Sequence, residues 1–179
     1  MSPKEQIVET RIIAVVVDNE AGVLARVIGL FSGRGYNIES LTVTEVDPKN
    51  RLSRITVVTS GTPQVLEQIK AQLARLVPVH GVSDLTHEGP FVARELTLVK
   101  VAGSGEKRVE SLRIADIFRA RVVDSSHDHF TFELTGRSEK LDMFVELMQP
   151  LGLVDVSRTG VVAISRGEEG LLGRAHGDD

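Results

Sequence analysis

The sequence has no cysteine and no tryptophan, and aromatic residues make up only 4% of its 179 residues. Without cysteine, disulfide frameworks, thiolate zinc sites and cysteine nucleophiles are excluded. The scarcity of aromatic rings argues against a platform that stacks the bases of single-stranded nucleic acid. Positive charge is also scarce, because 21 Lys and Arg residues face 25 Asp and Glu residues, which leaves a net charge of -4. We therefore expect no nucleic-acid partner, since such proteins gain affinity by neutralising phosphates.

Long apolar runs are missing as well, because no stretch approaches the roughly eighteen apolar residues that a membrane helix needs. The first six residues are polar and contain no apolar signal core, so we expect a cytoplasmic protein with no membrane partner. The composition, 41% hydrophobic and 26% charged, is typical of a soluble globular chain.

The apolar pattern changes period several times along the chain and repeats after about 80 residues. Short β-branched runs predict strands, and apolar residues at spacings of three and four predict helices. A Gly89-Pro90 break separates the two halves. In the first half we predict strands at 11–17, 37–46, 52–60 and 77–85, with one helix from Val23 (stripe Leu24, Val27, Ile28, Phe31) and one from Pro63 (stripe Val65, Leu66, Ile69, Leu73, Leu76). In the second half we predict strands at 93–101, 121–124, 130–135 and 153–157, and a last apolar piece at 161–164. The two helices are predicted at 106–118 (stripe Val109, Leu112, Ile117, with Ile114 and Phe118 beside it) and at 138–148 (inward Leu141, Phe144, Val145, Met148).

Each half has the order β-α-β-β-α-β, which predicts an α+β protein made of two tandem ferredoxin-like sandwiches. We expect an N-terminal domain at 1–88, a C-terminal domain at 89–167 and a flexible tail at 168–179. The strand from Ile12 to Val17 is apolar on both faces, more than one helix layer can cover. We therefore expect the second face or the sheet edge to meet another chain, most simply in a two-fold homodimer.

The turn Asp18-Asn-Glu-Ala-Gly22 leads a strand directly into a helix, and so leaves the amides of Gly22, Val23 and Leu24 without helical partners. Free amides and the helix dipole favour an anion such as a carboxylate. If the second strand neighbours the first, the loop with Asn37 and Ile38 lies close by. The Asn37 side chain offers a carbonyl to an ammonium group. A pocket with the free amides at one end, Asn37 at the other and aliphatic walls (Val23, Leu24, Ile38) suits a small aliphatic amino acid.

A plainer interpretation of the same turn is that Asp18 or Asn19 caps the helix, while Gly22 allows tight packing. Because such caps are common, the residues alone favour it over a binding site.

Two other motifs have weak functional interpretations. The stretch Gly103-Ser-Gly105-Glu-Lys-Arg108 invites comparison with a phosphate loop, but it lacks a third glycine and a Gly-Lys-Ser/Thr ending, so we interpret it as a strand-to-helix turn. His127 and His129 lie two residues apart without a third ligand, so a solvated hairpin tip is favoured over a metal site. We expect neither catalytic nor metal-binding residues in this chain.

Several stretches resemble the small regulatory subunit of acetolactate synthase, also called acetohydroxyacid synthase. The resemblance extends from about Thr10 to Gly167, and the first half is similar to an ACT domain. The stretches are residues 18–43 (Asp18-Asn-Glu-Ala-Gly-Val-Leu to Ser-Leu-Thr-Val43), Glu95-Leu-Thr-Leu-Val-Lys-Val101, Arg113-Ile-Ala-Asp-Ile-Phe-Arg-Ala120, Thr135-Gly-Arg-Ser-Glu-Lys-Leu-Asp142 and Arg158-Thr-Gly-Val-Val-Ala163.

The resemblance implies a non-catalytic subunit that binds and activates a large catalytic subunit and confers feedback inhibition by branched-chain amino acids, typically valine. Thiamine diphosphate, magnesium and FAD would belong to the catalytic partner, and this chain would hold no cofactor. It also implies a homodimer through ACT domains, with the effector between them, which reverses the preference for a simple helix cap. The effector-binding residues that it implies are Asn19, Gly22, Val23, Leu24, Asn37 and Ile38.

One alternative function stays open at this point, a stand-alone amino-acid sensor of the ACT type that regulates another protein. It would not co-purify with a thiamine-dependent enzyme. An enzyme acting at Gly103–Arg108 is a more distant alternative.

Overall fold

The computed structural model describes residues 7–175. The polar start at 1–6 and the last four residues of the expected tail, 176–179, lie outside the described residues. No helix in the described part of the chain is long and apolar enough to cross a bilayer. Two compact units divide the chain: residues 7–92 together with 161–175, and residues 93–160.

The first unit has the predicted β-α-β-β-α-β order, which confirms the expected α+β fold. Its four strands form an antiparallel sheet in the order β2-β3-β1-β4. The elements are β1 (Glu9–Asp18), α1 (Val23–Ser32), β2 (Asn37–Asp47), β3 (Leu52–Gly61), α2 (Pro63–Leu73) and β4 (Val79–Asp84).

The core of the first unit lies between the two helices and one face of the sheet. Alternate residues of β1, namely Ile13, Val15 and Val17, pack there against apolar side chains of both helices. The predicted stripe of α2 is confirmed, because Leu66, Ile69 and Leu73 are fully buried. On α1 the stripe is shifted, because its buried residues are Val23, Val27 and Phe31, and the expected Leu24 is 37% exposed.

The second face of this sheet is covered by the chain itself. Ala14 and Val16 are fully buried on β1, although they point away from α1 and α2. The segment from Val161 onward crosses this face: the Val161 amide donates to Ser40 Oγ (2.8 Å), and Arg54 Nη2 donates to the Ala163 carbonyl (2.8 Å). The apolar second face therefore needs no other chain to cover it. Of the two surfaces that we expected to meet another chain, only the sheet edge is still open.

The same C-terminal segment divides the chain differently from the boundaries that we expected from the sequence. Strand β9 (Val162–Ser165) and helix α5 (Leu171–Ala175) group with the first unit. Helix α5 packs on β1 and β4, where Leu171 is 4% exposed. A Cβ added to Gly81 would lie 2.9 Å from Leu171 Cδ1, so the two residues are in close contact. Part of the expected tail thus packs on the sheet, because Leu171 covers the face on which Ala14 and Val16 lie and which α1 and α2 do not reach.

We expect Leu171→Ala to lower the free energy of unfolding of the first unit by about 2–3 kcal/mol, since it leaves a cavity over buried residues. Val162→Ala is the matched control, because Val162 lies in the same segment but is 52% exposed. The control should change stability by less than about 0.5 kcal/mol. Urea denaturation of both variants checks this, and equal losses in the two would contradict the packing role of Leu171.

The second unit repeats the architecture and confirms the second predicted sandwich. Its strands pair in the order β6-β7-β5-β8, with all pairs antiparallel. The elements are β5 (Phe91–Ala102), α3 (Glu106–Phe118), β6 (Arg121–Ser125), β7 (His129–Gly136), α4 (Ser138–Met148) and β8 (Leu153–Arg158).

The stripe predicted for α3 is confirmed at Leu112, which packs against the core, but is wrong at Val109 and Ile117, while that of α4 is confirmed. Val109 and Ile117 are 68% and 70% exposed, and α3 buries Ser111, Ile114 and Ala115 instead. Two of these three are small, which lets the helix lie close to the sheet. The Ser111 hydroxyl donates to the Arg108 carbonyl one turn earlier, so its burial leaves no unpaired polar group.

A buried ion pair links three elements of the second unit. Glu95 on β5 is 6% exposed and accepts from Arg158 on β8 (2.7 Å) and from Ser138 at the start of α4 (2.9 Å). Burial opposes ionisation of Glu95, but the hydrogen bonds from Arg158 and Ser138 outweigh it, and the pKa of Glu95 is lowered. The cluster is internally satisfied, which indicates a structural role.

Candidate functional site

The turn between β1 and α1 is held in place by its own backbone. The Asp18 amide donates to the Pro78 carbonyl (2.9 Å), and the Asn19 amide donates to the Arg51 carbonyl (2.7 Å). The turn ends at Gly22, whose φ of +85° is a left-handed conformation that side chains rarely adopt. Strand end, hairpin loop and helix start are thereby fixed in one small region.

The start of α1 leaves backbone donors free. The Val23 amide donates to the Glu20 carbonyl (3.3 Å), but the amides of Gly22 and Leu24 have no acceptor within residues 7–175. No side chain caps the helix, and its first turn holds no acidic residue. Free N–H groups and the positive end of the helix dipole together favour an anionic ligand group at this point.

The interpretation of this turn as a simple helix cap is wrong. The Asp18 carboxylate contacts His80 Nε2 (2.6 Å), and Asn19 Nδ2 donates to Glu45 Oε1 (2.8 Å), so neither side chain bonds to the helix. Tight packing does not explain Gly22 either, because a Cβ added there would meet nothing within 4 Å. Gly22 is therefore needed for the left-handed backbone conformation, and the position that a Cβ would take there is open.

The apolar residues of the predicted site have different roles. Val23 is 5% exposed and belongs to the core, so it contributes its backbone and not a pocket wall. Leu24 is 37% exposed beside the free amides, and Ile38 is half-buried against the core. Leu24 and Ile38 are therefore the two side chains available to an aliphatic ligand.

Within one chain, Asn37 and Gly22 lie at opposite ends of the sheet. Asn37 pairs with Ser60, which also pairs with Thr10 near the beginning of β1. Asp18, at the end of β1, lies eight residues after Thr10, a strand length of roughly 27 Å at about 3.4 Å per residue, and Gly22 follows Asp18 in the turn. The expectation that Asn37 lies near the turn is wrong, because β3 separates β2 from β1 and β2 begins at the far end.

Strand β2 is an edge strand, and its outer side has no strand partner in the described part of the chain. Its other end lies beside the turn: Asp47 pairs with Leu52, which pairs with Asp18. The hydrogen bond from Asn19 to Glu45 joins the turn to this end of β2. The two halves of the predicted site are thus placed at the two ends of one open strand edge.

The residues at Gly103–Arg108 form a strand-to-helix turn, as predicted. Gly105 has a φ of +60° directly before α3. An open depression of about 790 Å³ adjoins this turn, but two glutamates, Glu106 and Glu110, line it beside the single Lys107 and oppose a phosphate. A Cβ on Gly103 would lie 2.9 Å from the Leu151 carbonyl oxygen, which indicates that this glycine serves close packing.

Of the two histidines in the hairpin of the second unit, His127 is exposed and His129 is bound to the hairpin itself. His129 contacts Asp124 (2.7 Å) and Ser126 (2.8 Å). Over residues 7–175 no group of three or more His, Cys, Asp or Glu side chains could hold a metal ion. Glu45 and His80 are neighbours of the turn that the sequence analysis missed, because only the sheet register brings these distant residues to it.

Comparison with known proteins matches nearly the whole chain. Residues 13–81 match the family model described as AHAS small subunit-like ACT domain, and residues 94–167 match that of the small subunit of acetolactate synthase. The chain is 48% identical over 160 residues to the acetolactate synthase isozyme 3 small subunit of Salmonella typhimurium, covering 89% of this chain and 97% of that protein. It is 46% identical to a probable acetolactate synthase small subunit of Archaeoglobus fulgidus, covering 88% and 97%.

Among solved structures, the acetolactate synthase small subunit of Thermotoga maritima superimposes with a TM-score of 0.81 at 32% identity. The match covers 90% of this chain and 99% of that one. Sequence and fold thus point to the same relatives.

Proposed function

The chain belongs to the family of acetolactate synthase small subunits, and from this premise we propose that it activates the catalytic large subunit and makes it sensitive to feedback inhibition by a branched-chain amino acid, typically valine. A regulatory role follows from the family, and the observation that supports the effector site is the uncapped start of α1, with free amides at Gly22 and Leu24. Thiamine diphosphate, magnesium and FAD are assigned to the catalytic partner, and the complex to the cytoplasm.

A two-fold dimer along β2 would complete the site. When two edge strands pair across a two-fold axis they run antiparallel, so the start of each β2 lies beside the end of the other. Asn37 of one copy then comes to the end of the sheet where the partner copy holds Gly22. The second copy is necessary because, within one chain, a strand length of roughly 27 Å separates the two ends of the sheet at which these residues lie.

Valine fits the groups that such a dimer would bring together. Its carboxylate would accept from the amides of Gly22 and Leu24, and its ammonium group would donate to the side-chain carbonyl of Asn37 from the other copy. The isopropyl group would lie between Leu24 and Ile38. An aliphatic site of this kind distinguishes single methylenes only weakly, so leucine and isoleucine should compete.

Inhibition follows by linkage. Valine lowers activity only if it binds the less active state of the holoenzyme more tightly than the active state. Activation of the partner and inhibition by valine are therefore separable properties of this chain, and substitutions at the turn should affect the second alone.

Calorimetric titration of the complex with its catalytic subunit tests the proposal, with valine, leucine, isoleucine and alanine as probes. We expect saturable valine binding that Asn37→Ala abolishes, since the ammonium group loses the acceptor that the other copy supplies. Gln149→Ala is the control, because it removes an exposed side-chain amide directly after α4, in the second unit. No valine binding by the wild-type complex, or equal binding by the Asn37→Ala complex, would contradict the proposed site.

The alternative of a stand-alone sensor makes a different prediction about partners. It requires that the chain fail to co-purify with a thiamine-dependent enzyme. The near full-length match to proteins named as small subunits of acetolactate synthase favours the subunit.

A further inference from the structure

Glu45 is a carboxylate next to the β1–α1 turn. It lies near the end of β2, where it pairs with Ser53, which in turn pairs with Val17 of β1. Its side chain is exposed, and Oε1 accepts from Asn19 Nδ2 at 2.8 Å. This hydrogen bond holds the carboxylate beside the same turn that presents the free amides of Gly22 and Leu24.

The negative charge of Glu45 is not neutralised by its own unit. In the part of the chain that the structure describes, its side-chain partner is the neutral amide of Asn19, and it forms no ion pair. Other carboxylates lie at this end of the sheet as well, of which Asp18 is paired with His80 (2.6 Å) and Asp47 accepts from Asn50 (2.7 Å). A carboxylate offers about four acceptor sites, so Glu45 keeps most of its capacity for a cationic donor.

We propose that Glu45 binds the ammonium group of the amino-acid effector, and that Asn19 is the positioning residue that holds the Glu45 carboxylate at the turn. The proposal rests on the proposed function, since it assigns a further binding residue to that site. An α-amino acid carries its two charged groups on one carbon atom, and the turn offers a partner for each: the amides and the helix dipole for the carboxylate, and Glu45 for the ammonium group. Asn37 of the other copy adds a neutral acceptor.

A charged acceptor at this position selects for amino acids over their uncharged analogues. A hydrogen bond to a charged group contributes more free energy than one between neutral groups. Removal of the Glu45 charge should therefore lower the affinity for valine about ten-fold or more. An analogue without the ammonium group should be almost insensitive to the same change. Glu45 thereby becomes a determinant of ligand class, whereas Leu24 and Ile38 contact the side chain.

The test compares valine with 2-hydroxy-3-methylbutanoate, which has the same carboxylate and isopropyl group but a hydroxyl in place of the ammonium. Both are titrated into the complex of full-length chain and catalytic subunit. With Glu45→Gln we expect valine affinity to fall about ten-fold or more, while affinity for the hydroxy acid changes less than about two-fold. Glu45→Asp should recover part of the valine affinity, because it restores the charge.

Glu146→Gln is the matched control, since Glu146 is an exposed glutamate on α4 of the second unit. Unchanged valine affinity in Glu45→Gln would overturn the proposal. Equal weakening of both ligands would overturn it too, because it would assign Glu45 a structural role. A wild-type complex that binds no valine would instead overturn the proposed function, which separates the two failures.

Discussion

Gly22→Asp is expected to abolish feedback inhibition of the holoenzyme and to leave activation of the catalytic subunit intact. The open space in front of Gly22 accepts a side chain, since a Cβ there meets nothing within 4 Å. The new carboxylate would lie beside the free amides of Gly22 and Leu24, where it would act as a built-in anion and repel the carboxylate of the effector. Inhibition curves with valine, recorded with the reconstituted holoenzyme, measure both properties in one assay.

Gly22→Asn is the matched control for this variant. Asparagine has nearly the same shape as aspartate and accepts the left-handed conformation about as well, so the backbone cost of about 1 kcal/mol is common to both. Only the charge differs. We expect the Asn variant to be inhibited at higher valine concentrations and the Asp variant not at all. Loss of activation together with inhibition in Gly22→Asp would contradict the separation of the two roles.

Local features of the sequence are sufficient to predict the β-α-β-β-α-β elements of both units. The change of period at Val23, the glycines after Phe31 and the proline at Pro63 each mark an element boundary that the structure confirms. These signals depend on residues within one or two turns of each other, so no tertiary information is needed. The repetition in the second half follows from the same local patterns.

Features that depend on tertiary contacts could not be predicted in the same way. The side of α3 that faces the sheet is set by the small residues Ser111 and Ala115, and a count of large apolar residues favoured Val109 and Ile117 instead. Likewise, nothing in the residues around Leu171 indicates that they cover Ala14 and Val16, some 150 positions earlier in the chain. The position of a short apolar segment is determined by which apolar surface the rest of the fold leaves uncovered.

The candidate site likewise has features that depend on local sequence and features that depend on tertiary contacts. The free amides at Gly22 and Leu24 are a local consequence of a strand that enters a helix through glycine, and they are present as expected. The placement of Asn37 depends on strand order, which puts β3 between β2 and β1. Glu45 reaches the turn only through the register of β2 with β3. The free backbone donors were therefore predictable from the sequence, whereas the positions of Asn37 and Glu45 relative to the turn were not.

Mixed dimers of Gly22→Asp and Asn37→Ala chains are expected to regain half of the effector sites, although either variant alone has none. In a dimer paired along β2, each site takes Gly22 from one copy and Asn37 from the other. A mixed dimer then has one site with both substitutions and one site with neither. A site built within one chain would instead be damaged in both copies.

Co-expression of the two variants with different affinity tags, followed by tandem purification, isolates the mixed dimer. Calorimetric titration with valine in the presence of catalytic subunit should give wild-type affinity at half the wild-type stoichiometry. Absence of binding would contradict the shared site, and full stoichiometry would show that the substitutions do not act at the site. This outcome is expected from the antiparallel edge pairing. Within one chain, Gly22 and Asn37 lie at opposite ends of the sheet, which are separated by a strand length of roughly 27 Å, so one chain cannot supply both residues to a site.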